Sequence, residues 1–258
     1  MNPERGAFAS ARIVAILLAG ATPFVAGCSG GAPLLHPAHV LSPGQVSIGG
    51  GLSGQFGVLK QTTNKNLGDK SGPFLDELAV APGVAPWVSA RVGIDNAFEA
   101  GLTYTGRSAR VDVRHAFKIA PLTMSIGLGA TALLPKPRND DSFSAYGGGG
   151  DLPLLFGWSS TAELYSIWFG PRVGFEMLGG RALSNQFSVG GSSTQFTKLS
   201  GQHVYFGGLV GMQVGFRYFH AAIEIDGAYH LAHGTFGDVD AKARDFAITP
   251  SGALILSL

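Results

Sequence analysis

From residue 44 to the last residue, apolar side chains recur at every second position, in one segment after another. Val46, Ile48, Leu52 and Phe56 alternate with Ser47, Gly49, Gly51, Ser53 and Gln55. Leu122, Met124, Ile126, Leu128 and Ala130 alternate with Thr123, Ser125, Gly127, Gly129 and Thr131. Val204, Phe206, Val210, Met212, Val214 and Phe216 share one parity, as do Ala221, Ile223, Ile225, Tyr229 and Leu231 against Glu224, Asp226 and His230. The final segment ends in Leu254, Leu256 and Leu258. A period of two places successive side chains on opposite faces of a strand. After the first thirty residues, no apolar stretch approaches the ~18–20 residues that a bilayer-spanning helix needs. Strands are predicted at 45–56, 78–93, 97–105, 108–117, 121–133, 151–159, 163–177, 201–216, 220–232 and 244–258. Pro82 and Pro86 make the second the weakest of these, because proline donates nothing to a ladder.

One apolar face per strand also suits the core of a soluble sandwich. A sandwich would turn charge outward on its other face, whereas here that face is largely Gly, Ser, Thr and Ala. Only 14% of the residues are charged and 39 of 258 are glycine, against roughly 25% and about 7% in ordinary globular domains. Small residues fit the crowded interior of a narrow barrel. In hydrocarbon a sheet must close, since an open edge would leave backbone groups unpaired. The connections alternate as well. Short links fall at Ile94–Asn96, Lys118–Ala120, near Ser160 and near Tyr218. Long ones fall at 57–77, 134–150, 178–200 and 233–243, and only the Gly106-Arg107 turn breaks the pattern. Phe98, Phe117, Trp158, Phe216 and Tyr218 sit at the short-turn end; Tyr104, Phe175, Phe206 and Phe246 sit toward the loops. Alternation, loop asymmetry and two aromatic girdles together resemble the bacterial outer-membrane β-barrel proteins, across residues 44–258. The resemblance implies an all-β fold: a closed antiparallel up-and-down transmembrane β-barrel of about 10 strands, in the range of about 8–12. Such barrels often end in an aromatic residue read by the outer-membrane assembly machinery, whereas this chain ends in Leu258.

The N-terminus is a targeting segment. Arg5 and Arg12 precede an apolar core from Ile13 to Gly27, broken only by Thr22 and Pro23. That is too short to span as a helix and suits a signal peptide over residues 1–27. Val25-Ala26-Gly27-Cys28 resembles the bacterial lipobox, which implies that Cys28 becomes the acylated first residue of the mature chain. Ser29 in the next position, rather than Asp, goes with export to the outer membrane in such lipoproteins. Residues 28–43, rich in Gly, Pro and His, are expected to be a flexible tether outside the fold, with the N-terminus on the periplasmic side. With one cysteine, neither a disulfide nor a cysteine-based zinc site is available within the chain.

The alternation turns a set of charges toward the lumen: Arg91, Glu99, Arg110, Asp112, Arg114, Arg172, Glu176, Arg217, Glu224, Asp226 and His230. A ten-stranded lumen is narrow, and buried charges must pair, so these groups are expected to plug it. The resulting expectation is a structural or surface-interacting barrel whose partners are outer-membrane lipids and the assembly machinery. Loops 134–150 and 178–200 are its candidate contacts for an extracellular ligand. Three alternatives remain open: a small pore or transport channel lined by the same charges, a lipid-anchored soluble periplasmic all-β binding protein, and an outer-membrane hydrolase. The hydrolase, an omptin-like protease or a lipid hydrolase, would draw on Asp226, His230, His233, Asp238 and Asp240. No Gly-Xaa-Ser-Xaa-Gly elbow or His-Glu-Xaa-Xaa-His helix occurs, and Gly147–Gly150 lacks the strand–helix setting of a phosphate cradle. No cofactor or metal is expected, and a net charge of +1 without a basic stripe gives no case for nucleic acid.

Overall fold

Each alternating segment is a strand, paired antiparallel with its neighbours. The computed structural model describes residues 30–59, 61–63, 75, 79–134, 143–160, 164–183, 196–237 and 239–258. The strands are β1 (Val46–Gly57), β2 (Gln61–Thr63), β3 (Gly83–Gly93), β4 (Phe98–Thr105), β5 (Ser108–Ile119) and β6 (Leu122–Leu133). They continue as β7 (Phe143–Ser159), β8 (Tyr165–Leu183), β9 (Phe196–Phe216), β10 (Phe219–Phe236) and β11 (Val239–Ser257). From β3 to β11 each strand pairs with the next, and β1 closes the ring between β3 and β11. Ser47 faces Ser257 and Gly57 faces Ala247 along the closing seam. The three-residue β2 follows β1 along the same edge of β11, with Gln61 opposite Arg244. The architecture is thus a closed ten-stranded up-and-down barrel with β2 as a short continuation of the first strand.

The outer face is apolar over one band. Leu254 is 72% exposed, and Leu52, Leu102, Val111, Leu128, Phe169, Val210, Ile223 and Ile225 are exposed beside it. Such a belt on a closed barrel belongs in hydrocarbon. Phe98, Phe117, Trp158, Tyr165, Phe216, Tyr218 and Phe219 are exposed at the short-turn end. Trp158 and Tyr165 stand 5.2 Å apart there. Toward the loop side, midway along β9 and β10, Phe206 and Tyr229 stand 5.7 Å apart. Asp95 shapes one short turn: its Oδ1 accepts from the backbone N–H groups of Ala97 and Phe98, each at 2.7 Å.

Above the belt, the wall is uneven. β3–β6 have 8 to 12 residues, whereas β7–β11 have 17 to 21. The loops expected at 134–150, 178–200 and 233–243 are therefore partly strand. The last of them is a hairpin tip, with Phe236 paired to Val239 across Gly237. The physical reason lies on the outer face. Asp240, Lys242 and Arg244 are exposed on β11, where water has replaced lipid, so the strand continues although its outward residues have become polar.

The larger departure is inside. Residues 30–41, expected to be a tether outside the fold, run through the lumen. Gly30 donates its N–H to Ala81 O at 2.8 Å, beside the loop end of β3. Leu41 lies at the other end, and Gly44 bonds Gly93 O at 2.9 Å where β3 finishes. The strap thus descends from the loop end to the short-turn end before β1 begins. It does not keep its start on the short-turn side, as the tether reading required. Leu34, Leu35 and Ala38 are buried against Trp87, Leu155, Trp168, Leu209, Ala222, Ala253 and Ile255. Near the loop end, Leu75 and Ala79 fill a second apolar cluster with Leu178, Leu199, Ala232, Phe236, Ala241 and Ala243. Cys28 and residues 1–27, expected to be a signal peptide, lie outside the described residues.

Candidate functional site

The strands aim four guanidiniums and four carboxylates at one another across the lumen wall. Arg91 on β3 bonds Glu99 on β4 and reaches Asp112 on β5 at 2.6 Å. Arg110 bonds Asp112 at 2.5 Å and Asp151 on β7 at 2.8 Å. Arg172 on β8 meets the other oxygen of Asp151 at 2.9 Å and approaches Asp226 on β10 to 3.7 Å. Arg114 joins at Glu99, 2.9 Å away. Glu99, Asp112 and Asp151 each serve two guanidiniums, and opposite charges alternate along the chain. Pairing of this kind is what makes buried charge tolerable. Space for it comes from the facing strand: a Cβ on Gly129 would stand 2.3 Å from Asp151 Oδ1 and 2.5 Å from Arg110 Nε. Glu99 is fully buried.

Glu224 is held differently. Its carboxylate accepts the backbone N–H groups of Leu34 at 2.7 Å and Leu35 at 2.9 Å, and the indole N–H of Trp168 at 2.9 Å. Other wall side chains grip the strap too. Arg172 donates to Ala32 O at 2.6 Å, Arg114 to His39 O at 2.9 Å and to Pro37 O, and Ser53 to Gly31 O at 2.7 Å. Glu99 accepts the N–H of Leu41 at 2.8 Å. Arg114 Nη1 lies 2.7 Å from His36 Nδ1. A guanidinium only donates, so that nitrogen carries the lone pair. Beneath the strap, at the short-turn end, a cavity of about 140 Å³ remains between His36, Leu41, Ser89, Gln213 and His220.

A third group sits nearer the loops. Glu176 on β8 accepts from Arg107 at 2.8 Å and lies 2.8 Å from His203 Nδ1. His203 Nε2 is 2.9 Å from His230 Nδ1, and the two rings stack at 5.1 Å. Of the hydrolase candidates, Asp226 and His230 share the inner face, whereas His233 and Asp240 are exposed on the outer one; Asp238 lies outside the described residues. The four described residues form no common site.

Ten of the eleven residues expected to face the lumen are buried there. Arg217 is not. It occupies the β9–β10 turn with φ 54° and lies exposed, its guanidinium 5.4 Å from the Phe216 ring. Parity assigns a face only while the strand lasts, and β9 ends one residue earlier. Sequence reasoning missed Asp151, His203, Trp87 and Trp168. Asp151 was hidden because the glycine run before it reads as loop. Trp168 has the parity of Arg172 and Glu176, which was signal enough to place it inside.

No protein-family model and no curated protein matches this sequence. Among solved structures, the chain is similar to the outer membrane protein OprG from Pseudomonas aeruginosa, at 11% identity over 84% of this chain and 97% of that one, with a TM-score of 0.43. Neisserial surface protein A is similar at 11% identity over 82% and 95%, with a TM-score of 0.32. The attachment invasion locus protein Ail of Yersinia pestis is similar at 12% over 82% and 99%, with a TM-score of 0.26.

Proposed function

We propose that this chain is a bacterial outer-membrane barrel whose lumen is closed by its own N-terminal strap, with the tall β7–β11 wall and the loops around it presenting a surface to the exterior. The observation that carries this reading is the passage of residues 30–41 through the lumen, bonded by wall side chains from Ser53 near one end to Glu99 near the other. Short turns face the periplasm in such barrels, which puts the tall wall outside. Export by the 1–27 segment fits that placement. An inner-leaflet anchor at Cys28 fits it only with the strap unseated. Two residues reach about 7 Å at most, and Ala85, 2.7 Å from a Cβ built on Gly30, is eight residues along β3 from Gly93.

The reading predicts that the purified full chain is silent in a planar bilayer. Glu224→Gln combined with Arg114→Ala loosens the middle of the strap, from Leu34 to His39, and should produce discrete conductance steps. Steady conductance of the unaltered protein, equal to that of the double variant, would overturn strap closure and leave a constitutive small pore.

A further inference from the structure

The contacts that hold the strap are mostly contacts to its backbone. Wall side chains take the N–H groups of Leu34, Leu35 and Leu41 and the carbonyls of Gly31, Ala32, Pro37 and His39. Every non-proline residue of any polypeptide offers the same groups, so this part of the recognition is indifferent to sequence. Selectivity begins with side chains, His36 at 2.7 Å from Arg114 and His39 at 2.8 Å from Ser159, and two other features add to it. One is the apolar chamber of Trp87, Leu155, Trp168 and Leu209, which takes Leu34 and Leu35. The other is a tight passage at the loop end, where a Cβ on Gly31 would stand 2.2 Å from Thr249 Cγ2.

We infer that the lumen is a binding site for a peptide segment that turns at its apolar pair, as the strap does at Leu35 (φ 50°), with residues 30–41 as the resident occupant: small residues first, then the apolar pair, bound in trans once the resident segment is released. The inference rests on the closure reading but asks more of it. A covalent plug need only fill space; a binding site must recognise the same segment when it is no longer attached. Attachment gives the resident strap an effective concentration in the millimolar range or above, so a free peptide is excluded while the strap is intact.

The test separates attachment from recognition. A protease site inserted between Pro43 and Gly44, in the exposed turn below the barrel, allows the complete protein to fold with its strap seated and then be cut. The probe is a fluorescent synthetic peptide with the sequence of residues 30–41. Uncut protein should take up none. Cut protein should bind it saturably, and a peptide with Asp at both leucine positions should bind at least tenfold more weakly. A cut strap that stays bound, and is chased out by unlabelled peptide, supports the same conclusion. Departure of the cut strap without uptake of the peptide, in barrels that still shift on heating in an SDS gel, would overturn the proposal. So would equal binding of the Asp-bearing peptide. Either result, alongside a silent bilayer trace from uncut protein, would sink the peptide site and leave closure standing. Should the insertion hinder folding, Leu34→Ala with Leu35→Ala in the uncut chain keeps the wall intact, and the same peptide must then compete with the weakened strap.

Discussion

The guanidinium–carboxylate belt and Glu224 are two ways of burying charge in one lumen. In the belt, partners come from the wall itself: Asp151 on β7 is shared by Arg110 on β5 and Arg172 on β8. Glu224 takes two of its three N–H partners from the strap. Through these pairs the belt fixes strands to one another, while Arg114, Arg172 and Glu99 make further bonds to the strap's backbone. Glu224 fixes the strap to the barrel. Buried charge in this molecule thus does two jobs, and the identity of the partner, rather than the depth of burial, separates them.

The wall pairs depend most on Asp151. Asp151→Asn keeps the shape and removes the one negative charge between two buried guanidiniums. Removing a partner from a buried ion pair costs about 3–5 kcal/mol, and here two cations lose it together. The midpoint of the heat-induced shift in an SDS gel, or of urea unfolding in detergent, should fall sharply. Glu224→Gln should cost less, about 1.5–3 kcal/mol, the range for hydrogen bonds to a charged group, since Gln still offers an acceptor. Its main effect should be a strap cut faster by protease while the barrel remains folded. If Glu224→Gln destabilised the barrel as much as Asp151→Asn with no faster cleavage of the strap, Glu224 would belong to the wall and the distinction would fail.

The sequence made the membrane band legible and little beyond it. Alternation of apolar with small residues works where lipid lies on one side and a crowded lumen on the other. Above the band, Lys242 and Arg244 face water from β11, and a strand with polar outward residues has the composition of a loop. The strap was misread for a related reason. Gly30, Gly31, Pro33 and Pro37 are what a flexible linker contains, and they are equally what a narrow lumen admits. Its backbone is satisfied by side chains distant in sequence, such as Glu224, 190 residues from Leu34, and no local pattern reveals such partners. Asp151 was lost at the boundary between these regimes, just after a glycine run that looks like loop and is strand.

Arg217 tests the same distinction from its weak end. Its parity on β9 groups it with Gly211 and Gly215, whose side of the strand faces inward, yet the turn carries it out to the interface. Its cation lies over the Phe216 ring at 5.4 Å, a contact worth about 0.5–1 kcal/mol at an exposed site. Arg217→Ala should therefore shift the unfolding midpoint only slightly, and the chain should stay silent in the bilayer. The result hinges on where the guanidinium sits, because the charge is the same as that of Arg91 or Arg110. A loss comparable to that of Asp151→Asn would mean that Arg217 reaches back into the lumen and completes the belt. A change confined to association with anionic lipid would match a cation at the short-turn interface, outside the network that holds the wall.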